Sequence, residues 1–341
     1  MIGRRFEFGL ALALVTGCAG SPLDRPPTPP TSSVLRITEY TIPTAASEPA
    51  AIAVGPDGAI WFTEIKSNKV AKLTASGAFT EFAIATEPEP RRGGSQPLSI
   101  TAGPDGNVWF TEERGDKVAK VTPSGVLTEY NVPTEHASPW GIVAGPDGNL
   151  WFTESGGDKV AKMTTAGEVT EYPVPTAGGG PIDITVGSDG NLWFTESDSD
   201  KVAKLSTSGA ITEYTFPRAS ACRYCRFAPT GIVLGPDGNI WVTEASAWGV
   251  ARVTPSGAIT EYLIPGEDGL PLHITSGPDG NLWFTENSSG RLGRVTPSGV
   301  ITEYKIASDY SDLGGIAAGP DGRLWFTEGK PNKVAAFVPT R

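Results

Sequence analysis

A four-residue phrase, Trp-Phe-Thr-Glu or a close copy, starts at Trp61, Trp109, Trp151, Trp193, Trp241, Trp283 and Trp325. The spacings are 48, 42, 42, 48, 42 and 42 residues. A second phrase, close to Ile-Thr-Glu-Tyr, ends at Tyr40, Phe82, Tyr130, Tyr172, Tyr214, Tyr262 and Tyr304. A fixed period of this length marks a unit that cannot bury its own faces and must stack on its neighbours. Strand-like content with a period near 42 is that of a four-stranded propeller blade. The expected fold is all-β: a seven-bladed β-propeller.

One unit reads strand by strand. "GIVAG" (141–145) is strand A, and "PDGN" is a tight turn in which Asp and Gly supply the geometry. "LWFTE" (150–154) is strand B, "KVAKMT" (159–164) strand C and "VTEYPVP" (169–175) strand D. Along strand B, Leu150, Phe152 and Glu154 face one side and Trp151 and Thr153 the other. Both sides carry apolar bulk, as in a sheet packed between two others. The first copy of the second phrase, "VLRITEY" (34–40), precedes any strand A, and the last unit lacks a strand D. The N-terminal strand is therefore expected to complete the last blade and remove the open edge. The motif tryptophans are assigned to packing between blades. The motif glutamates, Glu64 to Glu328, recur in step with strand C cations such as Lys69, Lys117 and Lys159, and are expected to form cross-strand ion pairs with them. A ring of metal-binding glutamates is the alternative.

The 42 glycines and 30 prolines fall at fixed offsets, as turn punctuation, and no credible helix follows the N-terminal segment. A net charge of -11, with no basic stripe, argues against nucleic acid as a partner. "MIGRR" and the short apolar run "FGLALALV" read as an export signal. "VTGC", ending at Cys18, resembles the bacterial lipobox, in which the cysteine is lipidated. The alternative is an ordinary signal peptide with a chance cysteine. The expected organisation is a signal peptide at 1–17, a lipidated Cys18 with a Pro-rich tether at 18–33, and a propeller at 34–339. The chain is then a monomeric lipoprotein of the bacterial cell envelope, secreted and held to the membrane by its lipid alone.

Function is sought where the repeats differ. The links from strand D to the next strand A vary most, and insertions in two of them, 86–97 and 218–229, produce the 48-residue spacings. Variable loops on a rigid scaffold are the usual seat of binding. The residues placed at this ligand face are Glu113, Glu135, His136, Trp140, Asp183, Trp248 and Asp309. Cys222 and Cys225 form a CxxC pair, which outside the cytoplasm reads best as a local disulfide. Two histidines and these two cysteines make a poor metal site, and the helix start that suits a redox CxxC is missing.

"GPDGNLWFTE", "DKVAKVTPSG" and "ITEYNVPT" resemble the streptogramin lyase (virginiamycin B lyase) family over residues 34–339. The resemblance implies a seven-bladed propeller. It also implies an enzyme that opens cyclic streptogramin B antibiotics by elimination at the ester, using a histidine base, a second histidine, two glutamates and Mg²⁺. Each blade begins with a Pro-x-x-Ile phrase, and the family's histidines follow the proline in the last two blades. Those positions are Leu272 and Gly314 here. The glutamate positions are Asp312, which keeps a carboxylate, and Gly329. His273 lies one residue beyond its slot, which in a regular strand is the opposite face. The first functional expectation is a propeller that binds a small molecule or an envelope protein. The second is a Mg²⁺-dependent C–O lyase for streptogramin B-type depsipeptides or a related lactone, with His273 as base and Asp312 on the metal, aided by Glu113 or Asp309. A lactonase ranks last, because Asp183 is the one acid inside a strand A.

Overall fold

The computed structural model describes residues 34–85, 94–217, 226–266, 269–306 and 312–339. Cys18, Cys222, Cys225 and Asp309 lie outside them. All regular structure among the described residues is β-strand, arranged as seven four-stranded antiparallel sheets. In blade 1 the strands are A (Pro49–Val54), B (Ile60–Glu64), C (Lys69–Leu73) and D (Phe79–Ala83). The later blades repeat this order. The last blade takes its fourth strand, Thr38–Thr41, from the N-terminus, with Tyr40 opposite Val334. The ring is closed as the repeat count requires.

Strand B is buried along its whole length in every blade because both its faces meet other sheets. Trp109 of blade 2 packs with Leu150 and Phe152 of blade 3, and Trp151 with Leu192 and Phe194 of blade 4. Trp325 closes the ring against Ile60 and Phe62. Each indole is fixed from three sides. It stacks on the aromatic residue of strand D, as in Trp151–Tyr172 at 5.5 Å. Its Nε1–H donates to the turn aspartate four residues earlier, as in Trp151 to Asp147 at 3.0 Å. A strand C cation lies over it in several blades, as Lys162 does at 5.6 Å. Burying one such side chain is worth roughly 4–6 kcal/mol by area.

The expected pairing of the motif glutamates is corrected. The strand C cations pair with the strand D glutamates instead: Lys69 with Glu81 at 2.8 Å, Lys117 with Glu129 at 3.4 Å, and Lys333 with Glu39 at 2.8 Å. The lysines stay at the blade rim, where their ammonium groups keep some water. The motif glutamates lie inward, fully enclosed. Burial raises the pKa of Glu64, Glu112, Glu154, Glu196 and Glu244, to about 7 for Glu154 and Glu196, with the strand D glutamate adding to the rise. Among the described residues no three His, Cys, Asp or Glu side chains are grouped to hold a metal ion.

A raised carboxylate pKa means that the folded state favours the proton. The stabilising contribution of Glu154 is complete below its unfolded value, near 4.5, and is lost as pH rises toward 7. Each pH unit in that window removes about 1.4 kcal/mol per group. Glu154→Gln is expected to retain about 2 kcal/mol that the parent loses between pH 5.5 and 7. Urea denaturation at both pH values, followed by circular dichroism, measures the difference; an unchanged pH slope would count against a protonated Glu154.

Candidate functional site: the central channel and the loop face

The seven A strands surround the axis, and each carries a β-bulge between its proline and its isoleucine. In blade 6 the register moves from Pro271 opposite Glu286 directly to Ile274 opposite Phe284, leaving Leu272 and His273 as the extra pair. The same shift occurs after Pro49, Pro97, Pro139, Pro181, Pro229 and Leu313. A bulge suspends strict alternation of faces. Both residues after the proline therefore reach the axis in most blades, and they line a cavity of about 220 Å³. This overturns the expectation that His273 faces away from the axis: Leu272 and His273 both line the channel.

The threonine of the Trp-Phe-Thr-Glu phrase holds the bulge from both sides in blades 1 to 5, and from one side in blades 6 and 7. Its hydroxyl accepts the N–H of the second residue after the proline in its own blade, as in Gly141 to Thr153 at 2.9 Å and His273 to Thr285 at 3.3 Å. It donates to the carbonyl of the first such residue in the next blade, as Thr153 does to Ile182 at 2.6 Å and Thr243 to Leu272 at 2.7 Å. Thr327 closes the ring on Ala50 at 2.6 Å.

The first residues after the proline form a mainly apolar collar in the channel: Ala50, Leu98, Trp140, Ile182, Thr230 and Leu272. The second residues are more tightly packed. A Cβ on Gly141 would lie 2.8 Å from the Cα of Asp183, and one on Gly231 would lie 3.0 Å from the Cα of His273. Blades 3 and 5 therefore hold glycine at this level, because a Cβ there would meet the backbone of the next blade. Polar side chains stand in alternate blades: Ser99, Asp183 and His273. Two of them join blades. The Ser99 Oγ accepts the N–H of Ile142 at 3.4 Å, and the Asp183 carboxylate accepts the N–H groups of Ile184 at 2.9 Å and Ile232 at 3.1 Å. The His273 imidazole has no hydrogen-bond partner among the described residues. Burial pushes Asp183 up to about 6 and His273 down to about 4.

The remaining candidates do not join this group. Asp312 precedes strand A of blade 7, with φ at 39°, and its carboxylate pairs with Lys330 at 3.1 Å. Its carbonyl accepts the N–H of Gly329 at 3.0 Å, so the two carboxylate positions of the family are neighbours here. Asp312 does not line the channel that holds His273. Glu113 is half-buried in a B–C loop beside Arg114, while Glu135 and His136 are exposed. His136 adopts φ 58° with its N–H bonded to Asp116. Trp248 is 46% exposed at φ 52°, a costly backbone state for a bulky residue. Five other blades place Asp or Asn at this position; in blade 2 the Asp116 carboxylate caps the N–H groups of the following link at His136 and Ser138. Ser99, Thr230 and Lys330 had not been singled out. The alignment of Ser99 with Asp183 and His273 in the Pro-x-x-Ile phrase was the available signal for the first.

The closed ring of seven blades, with bulged A strands around a lined channel, defines a seven-bladed propeller with its variable links gathered at one face. The sequence model of the virginiamycin B lyase family matches residues 35–225 and 222–340. The chain belongs to the virginiamycin B lyase family. A streptogramin B lyase structure superposes with a TM-score of 0.81 at 34% identity, covering 89% of this chain and 97% of that one. A catalytically inactive histidine-to-alanine variant of virginiamycin B lyase from Staphylococcus aureus, with quinupristin, superposes at 0.82 with 32% identity, covering 90% and 100%. Virginiamycin B lyase of Bacillus licheniformis is 49% identical over 43 residues, a match spanning 13% of this chain and 15% of that relative.

The threonine clamp carries a prediction. Thr153→Val keeps the shape but strands the Gly141 N–H and the Ile182 carbonyl. The expected loss is about 3 kcal/mol, since each buried unpaired group costs about 1–3 kcal/mol. Urea denaturation measures it, and a loss below about 0.5 kcal/mol would show that the clamp adds little.

Proposed function

We propose that this chain is a lipid-anchored, extracytoplasmic binding propeller that holds a small molecule or an envelope partner at its loop face. In this reading the histidine positions of the family are occupied by Leu272 and Gly314, neither of which can take a proton. The carrying observation is the pairing of Asp312 with Lys330 beside Gly329. Of the two carboxylates expected for Mg²⁺, one is replaced by glycine and the other already neutralises an ammonium group. That set does not fit a divalent cation, which needs several oxygen ligands. The strained, exposed indole of Trp248 supplies an apolar contact on the same face.

The second reading is a C–O lyase with His273 as base. The bulge favours it, because it brings His273 to the channel wall beside the family's histidine position. A neutral imidazole there could accept a proton from the carbon next to a carbonyl while the ester C–O bond opens.

Incubating the full chain in mild detergent with quinupristin, with and without Mg²⁺, separates the two by mass spectrometry with chromatography. The binding reading expects intact cyclic antibiotic. A linear product of unchanged mass that disappears in His273→Ala would replace it with the lyase reading. Labelled palmitate is expected to enter the chain in a bacterial host and to be lost in Cys18→Ser; equal labelling of the variant would remove the lipid anchor from the proposal.

A further inference from the structure

We propose that the central channel is a binding site for a small organic cation, an alkylammonium ion, with Asp183 as counter-ion and His273 as hydrogen-bond acceptor. This site lies in the A-strand ring and does not depend on what the loop face binds.

Three observations converge on it. The first is charge. Asp183 has no cationic partner among the described residues, although it lines a cavity enclosed by strands of all seven blades. Each of its oxygens accepts one backbone N–H, which holds the carboxylate in place and leaves further lone pairs for a donor. A buried charge without a counter-ion is costly, and a bound cation would relieve that cost. The second is His273. Ser99 and Asp183 use their side chains to join neighbouring blades, whereas His273, at the equivalent place, has an imidazole with no partner. Burial keeps that ring neutral at pH 7, while Asp183, which burial raises only to about 6, stays ionised there. A neutral imidazole offers one acceptor nitrogen, which an ammonium N–H can use.

The third is the collar. Leu98, Trp140, Ile182 and Leu272 surround the polar level with apolar side chains, matching a ligand with a charged head and an alkyl body. A divalent metal ion fits less well, because no three ligating side chains are grouped among the described residues. The volume of about 220 Å³ admits a charged head with a short alkyl body.

Titration calorimetry of the full chain in mild detergent tests the site with n-butylammonium, butan-1-ol and butyrate as probes. The expected result is 1:1 binding of n-butylammonium, with the alcohol and the carboxylate at least about tenfold weaker. Asp183→Asn should abolish binding, and His273→Phe should weaken it about fivefold or more. Asp183 also joins blades 4 and 5, so its variant could fail to fold. Ala51→Leu keeps every such bond and fills the channel from blade 1, and it too should abolish binding in a protein that melts like the parent. Absence of heat with n-butylammonium up to about 20 mM, equal binding of the alcohol, or undiminished binding by Ala51→Leu would each overturn the proposal. Quinupristin is not a probe here, so failure of this site leaves the loop-face reading standing.

Discussion

The threonine hydroxyl between successive A strands is the interaction on which the propeller's centre depends. A β-bulge leaves backbone groups outside the ladder, and near the axis there is little water to satisfy them. One hydroxyl takes the stranded N–H of its own blade and donates to the stranded carbonyl of the next. The bulge is thereby stabilised and the blades are joined by the same atom. The tryptophan before each threonine seals the outer part of the same seam, against the leucine and phenylalanine of the following blade.

This arrangement separates the scaffold from the chemistry. The clamp uses only backbone atoms of the two residues after the proline, so it does not dictate which side chains stand there. The first position accepts alanine, leucine, tryptophan, isoleucine or threonine. The second must be glycine in blades 3, 5 and 7, where a Cβ would meet the backbone of the next blade. A family built this way can gain or lose a histidine on the axis without disturbing its core.

The fold was legible because its determinants are repeated and local. The tryptophan, the turn aspartate and the strand D tyrosine recur at fixed offsets, and seven copies make the period unmistakable. The N-terminal closing strand was legible from the same count. The position of His273 was not. Simple alternation put it on the wrong face, because nothing in "PLHI" announces a bulge. The bulge depends on a threonine twelve residues further on, which accepts the His273 N–H, and on a threonine of the preceding blade, which donates to the Leu272 carbonyl. The partners of the strand C lysines were misread for a related reason. Glu64 lies directly opposite Lys69 in register, yet the ammonium group turns to Glu81 at the wetter rim. Register identifies the backbone neighbour, and solvation decides where a long cationic side chain goes.

The same separation holds at the loop face. The backbone bond between Asp312 and Gly329 forms with no carboxylate at position 329. Lys330 then supplies the positive charge that a lone carboxylate favours nearby. Such a pair at a partly exposed site contributes little to stability, typically under about 1 kcal/mol. Its consequence is electrostatic: a cation beside Asp312 repels a divalent ion approaching the same oxygens. A metal site built here would therefore require removing Lys330 as well as replacing Gly329 by glutamate. A Gly329→Glu change alone would place its new carboxylate within reach of the same lysine.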